Sequence, residues 1–219
     1  MLGRENVGMK TTTSYPSMQA HAGRPTNWQL MALAVLVLLP ATAHAHEEVG
    51  GATGFTSGFH HPISGIDHIL AMVAVGLWGA QLGKPAIWML PVAFPMMMAC
   101  GGMLGLLGVP LPGVEIGIAL SALVLGVLVL GHIRFPLWAA VAVVAVFAIF
   151  HGHAHGTELP PGSSAITYSI GFVIATGLLH AFGILIGLVQ HWTAGKWTIR
   201  AAGGVVAAGG VYFLWMALA

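Results

Sequence analysis

The sequence predicts an all-α membrane protein, a polytopic bundle of six transmembrane helices that follows a cleavable signal peptide. Of its 219 residues, 57% are hydrophobic and only 6% are charged, whereas soluble domains carry about 25% charged residues. The apolar residues form segments long enough to cross about 30 Å of hydrocarbon. Lipid offers backbone groups no other partner, so each segment must be a helix. Short breaks that contain glycine and proline separate the segments.

The first segment has the organisation of a secretory signal. Three basic residues precede the apolar run from Leu30 to Leu39, and small residues follow at Ala43 and Ala45. This pattern predicts cleavage after Ala45, with a signal peptide at 1–45 and a six-helix transmembrane domain at 46–219. The alternative is an uncleaved first helix, but the run is short for a span of about 20 residues.

Six longer apolar segments follow, and each is predicted to cross the membrane once. Their approximate bounds are 59–82, 86–108, 113–131, 135–156, 165–190 and 199–218.

The distribution of basic residues predicts the orientation of these spans. If the signal is cleaved, the mature N-terminus is periplasmic and the loops near 84, 132–134 and 191–200 are cytoplasmic. The basic residues after position 24 all lie in or beside those three loops, as the positive-inside rule requires; they are Lys84, Arg134, Lys196 and Arg200. We therefore expect a multi-pass protein of the bacterial inner membrane. The net charge of +1 says nothing about nucleic acid, but the sequence has no basic patch, so nucleic acid is not an expected partner.

The first span after the signal carries a dense set of polar residues. In a continuous helix His61 and His68 share one face, two turns apart, while His60 and Asp67 form a neighbouring stripe. Pro62 suits a first helical turn. An ionised carboxylate inside the membrane costs at least about 2.5–3.5 kcal/mol, so we expect Asp67 to face the bundle interior and to have a partner. The motif predicts metal or proton handling; the alternative is an Asp67–His pair that pins two helices.

The fourth span ends in a second histidine motif. His151 and His155 are four residues apart and Glu158 follows three residues later, so all three project from one face if the helix persists to 158. Two imidazoles and a carboxylate on one face suit a divalent metal ion. His153 points roughly the other way and could serve a neighbouring helix.

The predicted topology places most of these residues at the periplasmic side of the membrane. Glu115 opens the third span there, and His46 would start the mature chain. His180 lies deeper, midway along the fifth span, and is a candidate for the next step inward, although a lone histidine there can also be structural. His132 and His191 are expected to be solvated. The predicted metal ligands are His46, His60, His61, Asp67, His68, Glu115, His151, His153, His155, Glu158 and His180.

Imidazole and carboxylate ligands without a thiolate cluster suit Ni²⁺, Co²⁺, Zn²⁺ or Cu²⁺ and disfavour Cu⁺. The run Met96 to Met98 does not change this expectation, because consecutive helical residues face different ways and are expected to pack. The metal is expected as a transported ion, with no permanently bound cofactor.

The chain resembles the HupE/UreJ family of bacterial nickel permeases. The resemblance covers essentially the whole mature chain. It depends on the stretch from His61-Pro62 through Asp67-His68 to Trp78, on Phe150-His151-Gly152-His153-Ala154-His155-Gly156 with Glu158, and on His180. It implies uptake of Ni²⁺, or of Co²⁺ in some members, for hydrogenase or urease maturation. By motif match it implies essential roles for His61, Asp67, His68, His151, His155 and Glu158.

Two other functions stay open. An intramembrane zinc enzyme could use His151, His155 and Asp67 to hold a catalytic metal and its water, and a metal sensor or accessory subunit is a third interpretation. A permease needs ligands at several depths, whereas an enzyme needs one compact cluster. The chain has no ATP-binding motif, so it is not expected to be an ATPase itself. The predicted function is secondary or facilitated transport, and no enzymatic activity is expected. Its expected partners are the metal ion and the lipid bilayer; a homo-oligomer and the hydrogenase or urease maturation proteins are further candidates.

Overall fold

The computed structural model describes residues 54–159 and 164–219, and within these ranges it is built of helices with no strand. The all-α prediction is confirmed. The predicted signal peptide lies outside the described residues. The seven α-helices are α1 (Gly54–Ser64), α2 (Ile66–Leu82), α3 (Ala86–Leu106), α4 (Val114–Leu130), α5 (Leu137–Thr157), α6 (Ala165–Gly187) and α7 (Thr193–Leu218), with a 3₁₀ turn at Leu188–His191 between the last two.

Most of these helices are long and apolar enough to cross a membrane. Helices α3, α5, α6 and α7 qualify individually, and α1 with α2 qualifies as one broken span. Helix α4 has 17 residues, which gives a length of about 25 Å at 1.5 Å per residue. The chain is thus a multi-pass membrane protein, while the count of six spans stays a prediction.

The first predicted span, 59–82, is wrong as a single helix. Helix α1 begins earlier, at Gly54, and the axis turns by 80° between α1 and α2. Gly65 occupies the break in an extended conformation, and Pro62 lies in the last turn of α1 and not in a first turn. A Cβ at Gly65 would lie 2.7 Å from Oδ1 of Asp67 and 2.9 Å from Nδ1 of His68. A Cβ here would displace that polar pair, so glycine lets the chain bend tightly around it.

Close helix packing depends on small residues, as membrane interfaces commonly do. Helices α3 and α5 approach so closely that a Cβ at Gly152 would collide with the carbonyl of Met98. Helices α4 and α7 meet in the same way, where Gly203 and Gly210 abut the α4 backbone. These two glycines of the last helix therefore serve close packing.

One end of the bundle gathers the basic residues. The Gln190 side chain donates to the carbonyl of Ala80, and the Trp78 indole donates to the carbonyl of Ile133. These bonds tie together the loops that hold the cations. Partial loss of solvent around His132 lowers its pKa, and the positive charges of Arg134, Arg200 and Lys196 lower it further.

Exposed tryptophans surround this basic end, close to where α3, α5 and α7 begin; they are Trp88, Trp138, Trp192 and Trp197. Tryptophan prefers the boundary between membrane and water. His132 and His191 at the same end are exposed, as predicted. The consecutive methionines face different ways, with Met96 exposed and Met98 buried. The predicted metal ligands therefore have to be sought towards the opposite end.

Candidate metal centre

Three histidines from three helices converge at the end opposite the basic residues. His61 comes from the last turn of α1, His68 from the first turn of α2, and His155 from the last turn of α5. Each offers one ring nitrogen, and these three nitrogens lie within 4.8 Å of one another. His61 and His68 do meet, as expected, but not because they share a helix face. The 80° break at Gly65 folds α1 back so that its histidine reaches that of α2.

The orientation of His68 is fixed by its neighbour Asp67. Oδ1 of Asp67 accepts hydrogen bonds from the His68 backbone N–H at 2.9 Å and from Nδ1 at 2.8 Å. Nε2 of His68 is buried and has no hydrogen-bond partner among the described residues. A carboxylate on one imidazole nitrogen is the usual way to orient the other nitrogen towards a metal ion. The geometry therefore gives Asp67 a supporting position behind His68.

His151 lies one helical turn deeper on α5 and has the same arrangement. Its Nδ1 donates to the carbonyl of Phe147 at 2.9 Å. Its Nε2 is buried and unpaired within the described part of the chain. The ring centroid of His151 is 5.1 Å from that of His68. Both histidines thus have a buried Nε2 without a hydrogen-bond partner among the described residues, and their rings are neighbours.

Aromatic side chains of α6 form the wall of the site. The Phe172 ring is 4.3 Å from that of His155, and the Tyr168 ring is 6.1 Å from that of His61. Both nitrogens of His155 are buried and lack a partner in the ranges the structure covers. His155 also borders an apolar cavity of about 590 Å³ between α3, α5 and α6. Buried imidazole nitrogens of this kind usually have a partner, and a metal ion would supply one.

Carboxylates lie at the rim of the cluster. Oε2 of Glu158 is 3.7 Å from Nε2 of His61. Helix α5 ends at Thr157, so the condition for Glu158 to share a helix face with His151 and His155 is not met. Glu158 nevertheless reaches the histidines from the position that follows the helix. Burial raises the pKa of Glu158.

Two further carboxylates line a small cavity near the same end of the bundle. Asp67 and Glu115 line a cavity of about 210 Å³ between α2 and α4, which α7 closes with Phe213 and Met216. Glu115 is exposed in the first turn of α4. Negative charge therefore surrounds the approach to the histidine cluster.

The remaining predicted residues lie outside this cluster. Nε2 of His153 donates to the carbonyl of Val109 at 2.7 Å, which ties α5 to the loop after α3. His60 is exposed on α1. His180 is buried deeper in the bundle, and His46 lies outside the described residues.

Sequence reasoning missed several residues around the site. Every fourth residue along one face of α6 is buried; besides His180, which was predicted, these are Tyr168, Phe172 and Thr176. Phe94 of α3 contacts the His151 ring at 5.4 Å. The regular spacing on α6 was visible in the sequence, but aromatic residues at helical spacing most often form a core.

The donor set suits a divalent transition metal. Three imidazoles with carboxylates nearby can bind Ni²⁺, Co²⁺, Zn²⁺ or Cu²⁺. Three protein ligands leave coordination positions for water or for exchange with a further ligand. Binding of a metal by these residues stays a prediction.

Comparison with known proteins adds independent evidence. The model of the HupE/UreJ protein family matches residues 33–213. Protein HupE of Rhizobium leguminosarum bv. viciae is 48% identical over 176 residues, which are 80% of this chain and 92% of that protein. No solved structure matches the chain.

Proposed function

The chain belongs to the HupE/UreJ family, and on that premise we propose that it carries a divalent transition-metal ion through the bilayer. Ni²⁺ is the first candidate for the ion and Co²⁺ the second, because the family is associated with nickel and cobalt transport for hydrogenase and urease. The observation that carries the proposal is the convergence of His61, His68 and His155, with ligand nitrogens within 4.8 Å of one another.

The direction of transport follows from the predicted orientation. The basic loops lie on the cytoplasmic side, so the histidine cluster faces the periplasm of the inner membrane. The carboxylates at the rim, Glu115 and Glu158, attract the cation, and the imidazoles replace part of its water shell. An inside-negative potential then favours inward movement of a divalent ion by about 4.6 kcal/mol per 100 mV. The ion released inside would supply hydrogenase or urease maturation.

The presence of histidines at several depths favours a transport path and disfavours a single reaction centre. His151 lies one turn below His155 on α5, and His180 lies deeper still among the buried residues. Stepwise transfer needs such a series, with each site strong enough for capture and weak enough for release.

Uptake of ⁶³Ni²⁺ by cells that express the chain tests the proposal. We expect uptake above that of cells without the protein, and we expect its loss in His68→Ala and His155→Ala variants confirmed to reach the membrane. His191→Ala is the matched control, because this histidine is exposed at the opposite end. Absence of uptake by the well-expressed parent would refute the proposal.

A zinc-dependent membrane enzyme is the second candidate, because three imidazoles with an open position also match catalytic zinc. Tightly bound Zn²⁺ in the purified protein, together with a hydrolytic activity that needs His155 and no metal uptake, would favour it.

A further inference from the structure

An aromatic side chain separates the outer histidines from a deeper one. The Phe94 ring lies 5.4 Å from that of His151 and 5.3 Å from that of His180. A side chain at Gly76 of α2 would collide with the backbone carbonyl of His180. Because Gly76 follows His68 by eight residues on α2, His180 lies about 12 Å deeper than the outer cluster.

The polar groups at this depth are buried without the partners that buried groups normally have. His180 is 1% exposed and Thr176 is 0% exposed. Neither ring nitrogen of His180, nor the hydroxyl of Thr176, makes a hydrogen bond to any described residue. The two residues are four apart, so they share one face of α6. Unpaired polar groups in a core are uncommon and costly.

Pro95 leaves one backbone carbonyl of α3 without its helical hydrogen bond, which adds an oxygen atom to these unpaired polar groups. Pro95 has no N–H, so the carbonyl of Pro91, four residues earlier on α3, receives no helical hydrogen bond from it. This carbonyl is close enough to interact with the His180 imidazole, although the two groups do not meet hydrogen-bond geometry. One nitrogen donor and two neutral oxygen donors are thereby available around His180, with the Thr176 hydroxyl one helical turn nearer the outer end.

We propose that His180, Thr176 and the carbonyl of Pro91 form an inner binding station for the divalent ion, which reaches it past the Phe94 ring with part of its water shell. This inference depends on the proposed transport function. The acidic residues of the described ranges are Asp67, Glu115 and Glu158, and all lie at the outer end. The inner station is neutral and therefore weaker than the outer cluster, which favours release of the ion towards the basic end.

Uptake by proteoliposomes that contain the full chain tests the inner station. We expect His180→Leu to lower the rate of Ni²⁺ uptake at least tenfold, and Thr176→Val and Pro95→Ala to lower it several-fold. Ni²⁺ binding to the outer cluster should stay at the parental affinity in each variant. The matched controls are His191→Leu, an exposed histidine, and Thr198→Val, whose hydroxyl already donates to the carbonyl of Ala194. Size-exclusion chromatography shows which variants are folded.

A second readout does not need transport. In a His68→Ala/His155→Ala variant, which lacks the outer cluster, millimolar Co²⁺ should give a visible absorption band that His180→Leu removes. If the parent shows no uptake, the proposed function fails. The Co²⁺ band still tests whether His180 binds a metal ion at the inner station. The inner station would be overturned if the folded Thr176→Val and His180→Leu variants kept the parental rate of uptake. A Co²⁺ spectrum that does not depend on His180 would overturn it as well. Either result would mean that these residues serve packing or bind a water molecule.

Discussion

Replacing Asp67 with asparagine isolates the support that this carboxylate gives to His68. Oδ1 of Asp67 holds Nδ1 of His68 at 2.8 Å and its backbone N–H at 2.9 Å. Asparagine has nearly the same volume and keeps an acceptor oxygen, so the break between α1 and α2 should survive. The negative charge is lost. That charge strengthens the hydrogen bond and favours the tautomer that leaves Nε2 free for a metal ion.

The size of the effect follows from the position of Asp67 behind a ligand. Removing a group that orients a metal-binding histidine typically lowers metal affinity 10- to 100-fold. At about 1.4 kcal/mol per tenfold change, the loss is about 1.4–2.8 kcal/mol of binding free energy. The other two imidazoles, those of His61 and His155, keep their contacts, so binding should be weakened and not abolished.

Isothermal titration of Ni²⁺ into the purified protein in lipid nanodiscs measures this change directly. Ser64→Ala is the control, because its exposed hydroxyl only donates to the carbonyl of His60 beside the same break. Parental affinity in Asp67→Asn would refute the supporting role. Complete loss of binding by a folded Asp67→Asn protein would show that Asp67 is itself a ligand.

Two further predictions use matched pairs. His61→Ala should raise, at least tenfold, the Ni²⁺ concentration that gives half-maximal uptake. His60→Ala changes the neighbouring but exposed histidine and should leave that concentration nearly unchanged. Equal effects of the two variants would contradict the three-histidine cluster. Gly152→Ala should destabilise the bundle by about 1–3 kcal/mol, because the new Cβ would collide with the carbonyl of Met98. Gly177→Ala should be neutral or slightly stabilising, because a Cβ there has nothing within 4 Å. Thermal unfolding of both variants in one detergent measures the difference, and similar midpoints would contradict the close approach of α3 and α5.

The sequence was a reliable guide to the parts of this protein that are set locally. Hydropathy and length predicted all-helical structure, because a backbone in lipid can satisfy its hydrogen bonds only within a helix or a closed barrel. The turn at 83–85 and the loop at 131–136 also match the breaks that were predicted there.

The candidate site was only partly predictable. The residue types and the two histidine motifs were visible, and His61, His68 and His155 do meet. His61 and His68 were expected to meet because they share a face of one continuous helix. They meet instead because the chain breaks at Gly65 and α1 turns towards α2. Nothing in the spacing distinguished His153, which bonds to the loop at Val109, from His155, two residues away in the cluster.

The sequence by itself determined that the chain is helical, that it crosses the membrane several times, and that its candidate metal ligands are imidazoles and carboxylates. The tertiary structure decided which ligands meet, that Asp67 supports His68, and that Phe94 lies between His151 and His180. The physical reason is the range of the interactions. A helix is stabilised by bonds between residues four apart, whereas a site between helices depends on how closely α1, α2, α3, α5 and α6 pack, and glycine contacts distant in sequence set that distance.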